Sequence, residues 1–68
     1  MNKQEALKKL FIDENSPFGQ VNVISTNEEK NIVKGTLKHK NKSVSTIETK
    51  YFEKDILNVM EGENERIN

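Results

Sequence analysis

The chain has 68 residues, 32% of them hydrophobic, with no cysteine, one histidine and a net charge of zero. A chain this short makes one domain at most, burying only about 60% of the surface that its unfolded form exposes. Disulfides and thiolate metal sites are excluded, a lone histidine does not build a zinc site, and no apolar run approaches the roughly 18 residues of a membrane helix.

So lean a domain usually draws extra buried surface from a second subunit or a larger partner, so a homo-oligomer or a complex with a host protein is expected. The N-terminus carries no apolar signal stretch. With the absence of cysteine, this places the chain in the cytoplasm as an expectation. The neutral total hides an uneven distribution. Residues 1–12 carry +2, residues 13–29 carry −4, residues 30–50 carry +5 and residues 51–68 carry −3.

In chain order, "MNKQEALKKLFI" predicts a helix over about residues 2–12. Ala6, Leu7, Leu10 and Phe11 share a face, and Lys3, Lys8 and Lys9 fall elsewhere. Asn2 followed by Glu5 three residues later is a variant of the capping box. The apolar stripe either covers the core or serves as a docking surface. "DENSPFG" is turn chemistry. "QVNVIS" alternates as a strand, with Val21 and Val23 on one side, until Ile24 breaks the pattern. "IVKGTLKHK" alternates as well, with Val33, Gly35 and Leu37 on one face. "NKS" turns the chain, and "VSTIETKYF" is a β-branched run with Ile47 and Tyr51 on one face. "YFEKDILNVM" fits helical spacing. It equally fits a strand end, a tight turn at 53–55 and a last short strand, Ile56 to Met60. The strand reading is preferred, because three strands alone cannot close a barrel.

A glycine inside a strand marks a bulge, a sharp bend or a close backbone approach. Gly35 is expected to let the second strand curl over the core. The expected fold is therefore α+β: an N-terminal helix, then a small, strongly bent antiparallel sheet or an SH3/Sm-like barrel of four to five strands. It occupies residues 1–60 as one domain, with strands over about 18–60 and a polar tail at 61–68.

The segments "VNVIS", "VKGTLK", "STIET" and "FEKDILNV", behind a short helix, resemble the Sm-like (Hfq-type) small β-barrel family over roughly residues 3–60. In that family the second segment reads hydrophobic-x-Gly-x-hydrophobic. The last is an aromatic, a Lys-His pair and a hydrophobic strand. The resemblance implies a ring that binds RNA. The chain departs from it in having "KHKNKS", with Asn41, where the family has Asp-Asn. It also has Lys54-Asp55 where the family has Lys-His, an anion beside the uridine pocket.

The basic hairpin gathers Lys34, Lys38, His39, Lys40, Asn41 and Lys42, with Lys54 further on, as the candidate binding residues. Lysine-rich turns contact phosphates with salt-sensitive affinity. Lysines also keep exposed strands from pairing with other chains. Phe11, Phe18, Tyr51 and Phe52 are the only aromatics, and most of them are assigned to the core rather than to base stacking. His39 stands alone and reads as a surface histidine. Glu48, Glu53 and Asp55 imply no pocket, and there is no glycine-rich phosphate loop or nucleophile motif. The chain is therefore read as a non-enzymatic binding protein with no cofactor: a nucleic-acid regulator that takes RNA or DNA on its basic hairpin. One alternative is a phage- or mobile-element-type inhibitor or adaptor that meets a host protein by charge complementarity. The other is a ring holding a small ligand between subunits.

Overall fold

A computed structural model describes residues 1–65. Five principal elements follow one another: α1 (Lys3–Asn15), β1 (Gly19–Asn27), β2 (Ile32–His39), β3 (Val44–Lys50) and α2 (Glu53–Glu65), with a short 3₁₀ turn, Ser16–Phe18, between α1 and β1. The class is α+β. The strands form one open antiparallel sheet in the order β1-β2-β3. Both helices take part in the core on one side of it, and the molecule is only 15 Å across its thinnest dimension.

Helix α1 starts where its sequence says it should: the Asn2 side chain accepts the Glu5 N–H at 2.8 Å. It runs past the expected end at residue 12. The Asn15 side-chain amide donates to the Phe11 carbonyl at 2.9 Å, and the Ser16 N–H closes the helix onto the Ile12 carbonyl. The turn chemistry acts one turn later, at Ser16–Phe18. The apolar stripe is core: Ala6, Leu7 and Phe11 are fully buried. Val33, Tyr51 and Ile56 complete the cluster, with Val21, Val23 and Ile47 packed against it. Val33, Gly35 and Leu37 are all buried on β2, as the alternation requires.

Where a barrel of four to five strands was expected, the sheet has three strands and stays open. The difference lies in residues 51–60. Tyr51 is the last inward residue of the strand region, and its N–H donates to the Asn31 carbonyl at 2.9 Å. The chain then turns helical, with the Phe52 carbonyl accepting from Asp55 and Ile56. Glu53 and Asp55 occupy the first turn, where the helix dipole favours anions. Ile56 is buried and Val59 and Met60 are half-buried, an i, i+3, i+4 stripe that only a helix places on one face. The helical spacing outranked the strand reading, and α2 covers core that a fourth strand would have covered. It continues into the segment expected to be a tail, and residues 66–68 lie outside the described residues.

Gly35 also has a different role from the one expected. A Cβ at this position would lie 2.6 Å from Phe11 Cε2 and would overlap the Asn22 carbonyl oxygen. The glycine lets the Phe11 ring sit on the backbone of β2, so it serves helix-on-sheet packing rather than a barrel bend. The local irregularity of the sheet falls on β1. The register shifts between Val23 and Ser25, leaving Ile24 as a bulge. This is the residue that breaks the alternation in the sequence.

Two polar clamps join the helices to the sheet ends. The Tyr51 hydroxyl donates to the Glu14 carboxylate at 2.7 Å. Burial, followed by that carboxylate, pushes the phenol above its ordinary value of 10.0. Glu53 accepts the Asn31 side-chain amide at 2.9 Å and lies 3.3 Å from the Lys3 ammonium. The Asn31 amide, with Lys3 beside it, holds the Glu53 carboxyl below its usual value. Its contribution is present above the ordinary carboxylate range and fades as pH falls through it.

Candidate nucleic-acid interface

The pleat sends successive side chains to opposite faces. With Val33, Gly35 and Leu37 under the helices, Ile32, Lys34, Thr36 and Lys38 point to the other face. The register then fixes four cross-strand rows on that open face. They are Gln20–Lys38–Val44, Asn22–Thr36–Thr46, Ser25–Lys34–Glu48 and Asn27–Ile32–Lys50. Ten of these twelve residues are exposed, Thr36 and Ile32 being half-buried. Lys34 and Lys38 are separated along β2 by about 13 Å. Three cations, Lys34, Lys38 and Lys50, stand among amides and hydroxyls with one anion, Glu48, directly across from Lys34.

The β2–β3 turn extends this surface. The Lys42 N–H donates to the His39 carbonyl and the His39 N–H to the Ser43 carbonyl, with Lys42 at φ 72. That is a type I turn closed by a residue in the left-handed region. The Asn41 side-chain oxygen accepts from the Ser43 N–H at 3.0 Å and the Ser43 hydroxyl at 2.6 Å. Asn41 is thus engaged in shaping the turn, and Lys40 and Lys42 stand exposed at its tip.

Of the residues singled out in the sequence, Lys34 and Lys38 stand on the open face, and Lys40 and Lys42 at the turn that continues it. His39 falls on the helix side of β2, half-buried, with Nε2 2.9 Å from the Ser45 hydroxyl. Lys54 lies in the first turn of α2, past the opposite end of β3 from the lysine turn. The residues missed were Gln20, Asn22, Ser25, Thr36, Thr46 and Lys50. Their signal was present for all but Ser25: each of the others occupies the outward phase of an alternating strand, while Ser25 reaches that face only through the bulge at Ile24. Among the described residues, no group of three His, Cys, Asp or Glu side chains could hold a metal ion. Among them too, no helix is long and apolar enough to cross a membrane.

Comparison with known protein families, with characterised proteins and with solved structures finds no match.

Proposed function

We propose that this chain is a non-enzymatic module that lays the open face of its sheet and its lysine turn against duplex DNA. The observation that carries the reading is the makeup of that face: three lysines, three amides and three hydroxyls with one carboxylate, flanked by two more lysines, with no aromatic side chain in any of the four rows. Single-strand binders use aromatics as stacking platforms, so the face suits a duplex better. Lysines position a protein on phosphates, while amide side chains such as Gln20 and Asn22 are the type that pair with base edges. The B-form major groove, about 12 Å wide, admits strands, whereas the deep, narrow groove of A-form RNA does not.

The test is fluorescence anisotropy with a duplex oligonucleotide across a salt series. Five phosphate contacts, from Lys34, Lys38, Lys40, Lys42 and Lys50, give log K against log salt a slope between about −4 and −5. Changing Lys38, Lys40 and Lys42 together to glutamate abolishes the binding. Affinity independent of salt, or unchanged in the triple variant, overturns the reading.

One observation favours a second reading, an inhibitor or adaptor that binds a protein. Phe52 is 78% and Phe18 64% exposed, a large aromatic surface left in water. In that case Phe52→Ser abolishes capture of the target in a pull-down, and the glutamate triple variant binds no less DNA than the parent.

A further inference from the structure

The two edges of the sheet are not alike. On β1 the bulge at Ile24 interrupts the ladder, and α1 packs along the strand. On β3, among the described residues, the only paired neighbour is β2, and the strand runs Val44–Lys50 with no proline, no glycine and no bulge. Natural edges are normally protected by such devices, by charged side chains on the strand or by charges pointing inward. The inward residues of β3 are Ser45, Ile47 and Thr49, none charged, and its two charges, Glu48 and Lys50, lie on the open face.

The hydrogen-bond phase says which groups are on offer. The His39 N–H bonds the Ser43 carbonyl, and eight residues back along β2 the Tyr51 N–H bonds the Asn31 carbonyl. In an antiparallel ladder, bonded and non-bonded pairs alternate. Ser45, Ile47 and Thr49 therefore direct their backbone groups toward β2. Val44, Thr46, Glu48 and Lys50 direct theirs outward.

We propose that β3 is the dimerisation edge, pairing antiparallel with β3 of a second copy across a two-fold axis at Ile47, to make one continuous six-stranded sheet. This register is the one that overlaps the whole strand with its bonding phase satisfied. It sets Thr46 of one copy opposite Glu48 of the other, and Val44 opposite the aliphatic stem of Lys50. On the helix side it sets Ile47 against Ile47 and Ser45 against Thr49. Half-buried Ile47 thereby gains cover beyond the core contacts it makes among the described residues. The self-matching register, with Ile47 on Ile47, Thr46 on Glu48, Val44 on Lys50 and no like charges directly opposed, favours a second copy over an unrelated extended peptide. Lys34, across from Glu48 within each chain, offsets the proximity of the two Glu48 carboxylates. The inference is independent of what the open face binds.

The test uses light scattering and amide hydrogen exchange on the protein alone. The expected mass is twice 7.9 kDa, and the amides of Val44, Thr46, Glu48 and Lys50 gain protection as concentration rises. Thr46→Pro removes an N–H that points away from β2 and has no ladder partner among the described residues, so it is expected to keep the circular dichroism spectrum and fall to 7.9 kDa. If Thr46→Pro does not fold, the exchange of the four wild-type amides decides alone. A wild-type mass of 7.9 kDa at millimolar concentration overturns the proposal. So does a dimer that survives Thr46→Pro, or one in which those four amides exchange freely. An extended peptide that protects the edge while the protein stays monomeric overturns it too.

Discussion

The two faces of the sheet are built from the same three strands and carry opposite loads. The covered face holds Val33 in one buried cluster with Phe11 and Leu7, Gly35 against the Phe11 ring, and buried Leu37 further along, and there every atom counts for packing. The open face holds Lys34, Thr36 and Lys38 between polar neighbours, and there side chains can change at little expense to the fold. Adjacent residues of β2 thus answer to different constraints, which teaches that the proposed recognition can be tested apart from stability one residue at a time.

The sharpest way to break that comparison is to disturb the contact between Phe11 and Gly35. Phe11→Ala should cost about 3–5 kcal/mol, as much as a domain of this size is generally able to lose, and denaturant titration should find it largely unfolded. Gly35→Ala should cost about 1–3 kcal/mol by overpacking. Combined with Phe11→Leu the two penalties should fall partly short of their sum, since the smaller side chain relieves the clash with the ring and leaves the one with the Asn22 carbonyl. Additive penalties would mean that the Asn22 carbonyl, and not the ring, is what requires the glycine.

Next in size is the clamp between Tyr51 and Glu14. Tyr51→Phe should lose about 1–2 kcal/mol. The folded phenol holds its proton more tightly than the unfolded one. Its contribution is therefore complete below pH 10.0 and is lost as pH rises beyond it. Thermal melts should show an alkaline loss of stability in the parent that is reduced in the phenylalanine variant.

Lys42 sharpens the comparison from the other side, because it holds a left-handed backbone in a turn that presents charge. Lys42→Gly should gain about 1 kcal/mol by relieving that conformation. It should also remove one phosphate contact, lowering the salt slope of DNA binding by about 0.9. The smallest expected change in stability comes from Lys34→Gln and Lys38→Gln, each within about 0.5 kcal/mol of the parent, although each also lowers the salt slope by about 0.9.

Much of the fold is legible in the residues, and the reason is periodicity. Asn2 with Glu5 marks the start of α1, and the alternation around Val21, Val33 and Leu37 marks inward faces that no other pairing would preserve. Ile24 breaks the alternation in the sequence, and the structure shows that break to be a bulge. The last element fits helix and strand alike in the sequence, and the strand is preferred because Tyr51 and Phe52 run on from a β-branched strand. The helical stripe of Ile56, Val59 and Met60 is only five residues long, too short to outweigh an expectation of barrel closure. Gly35 was placed on the correct face with the wrong neighbour, since the ring it accommodates is 24 positions away in sequence. The candidate interface was half legible. Charge density found the turn lysines and drew in His39, which β2 directs to the other face. The amides and hydroxyls of the open face carry no charge to flag them, and only cross-strand register brings Gln20, Lys38 and Val44 into one row.

The central claim, that the open face does the recognising while the covered face does the stabilising, is tested most directly by amide chemical-shift mapping during titration with a duplex oligonucleotide. The expected result is that Gln20, Asn22, Thr36, Lys38, Thr46 and the Lys40–Lys42 turn shift together, while Ala6, Leu7 and Ile56 stay in place. Shifts confined to the helices, or none at all at low salt, would contradict it.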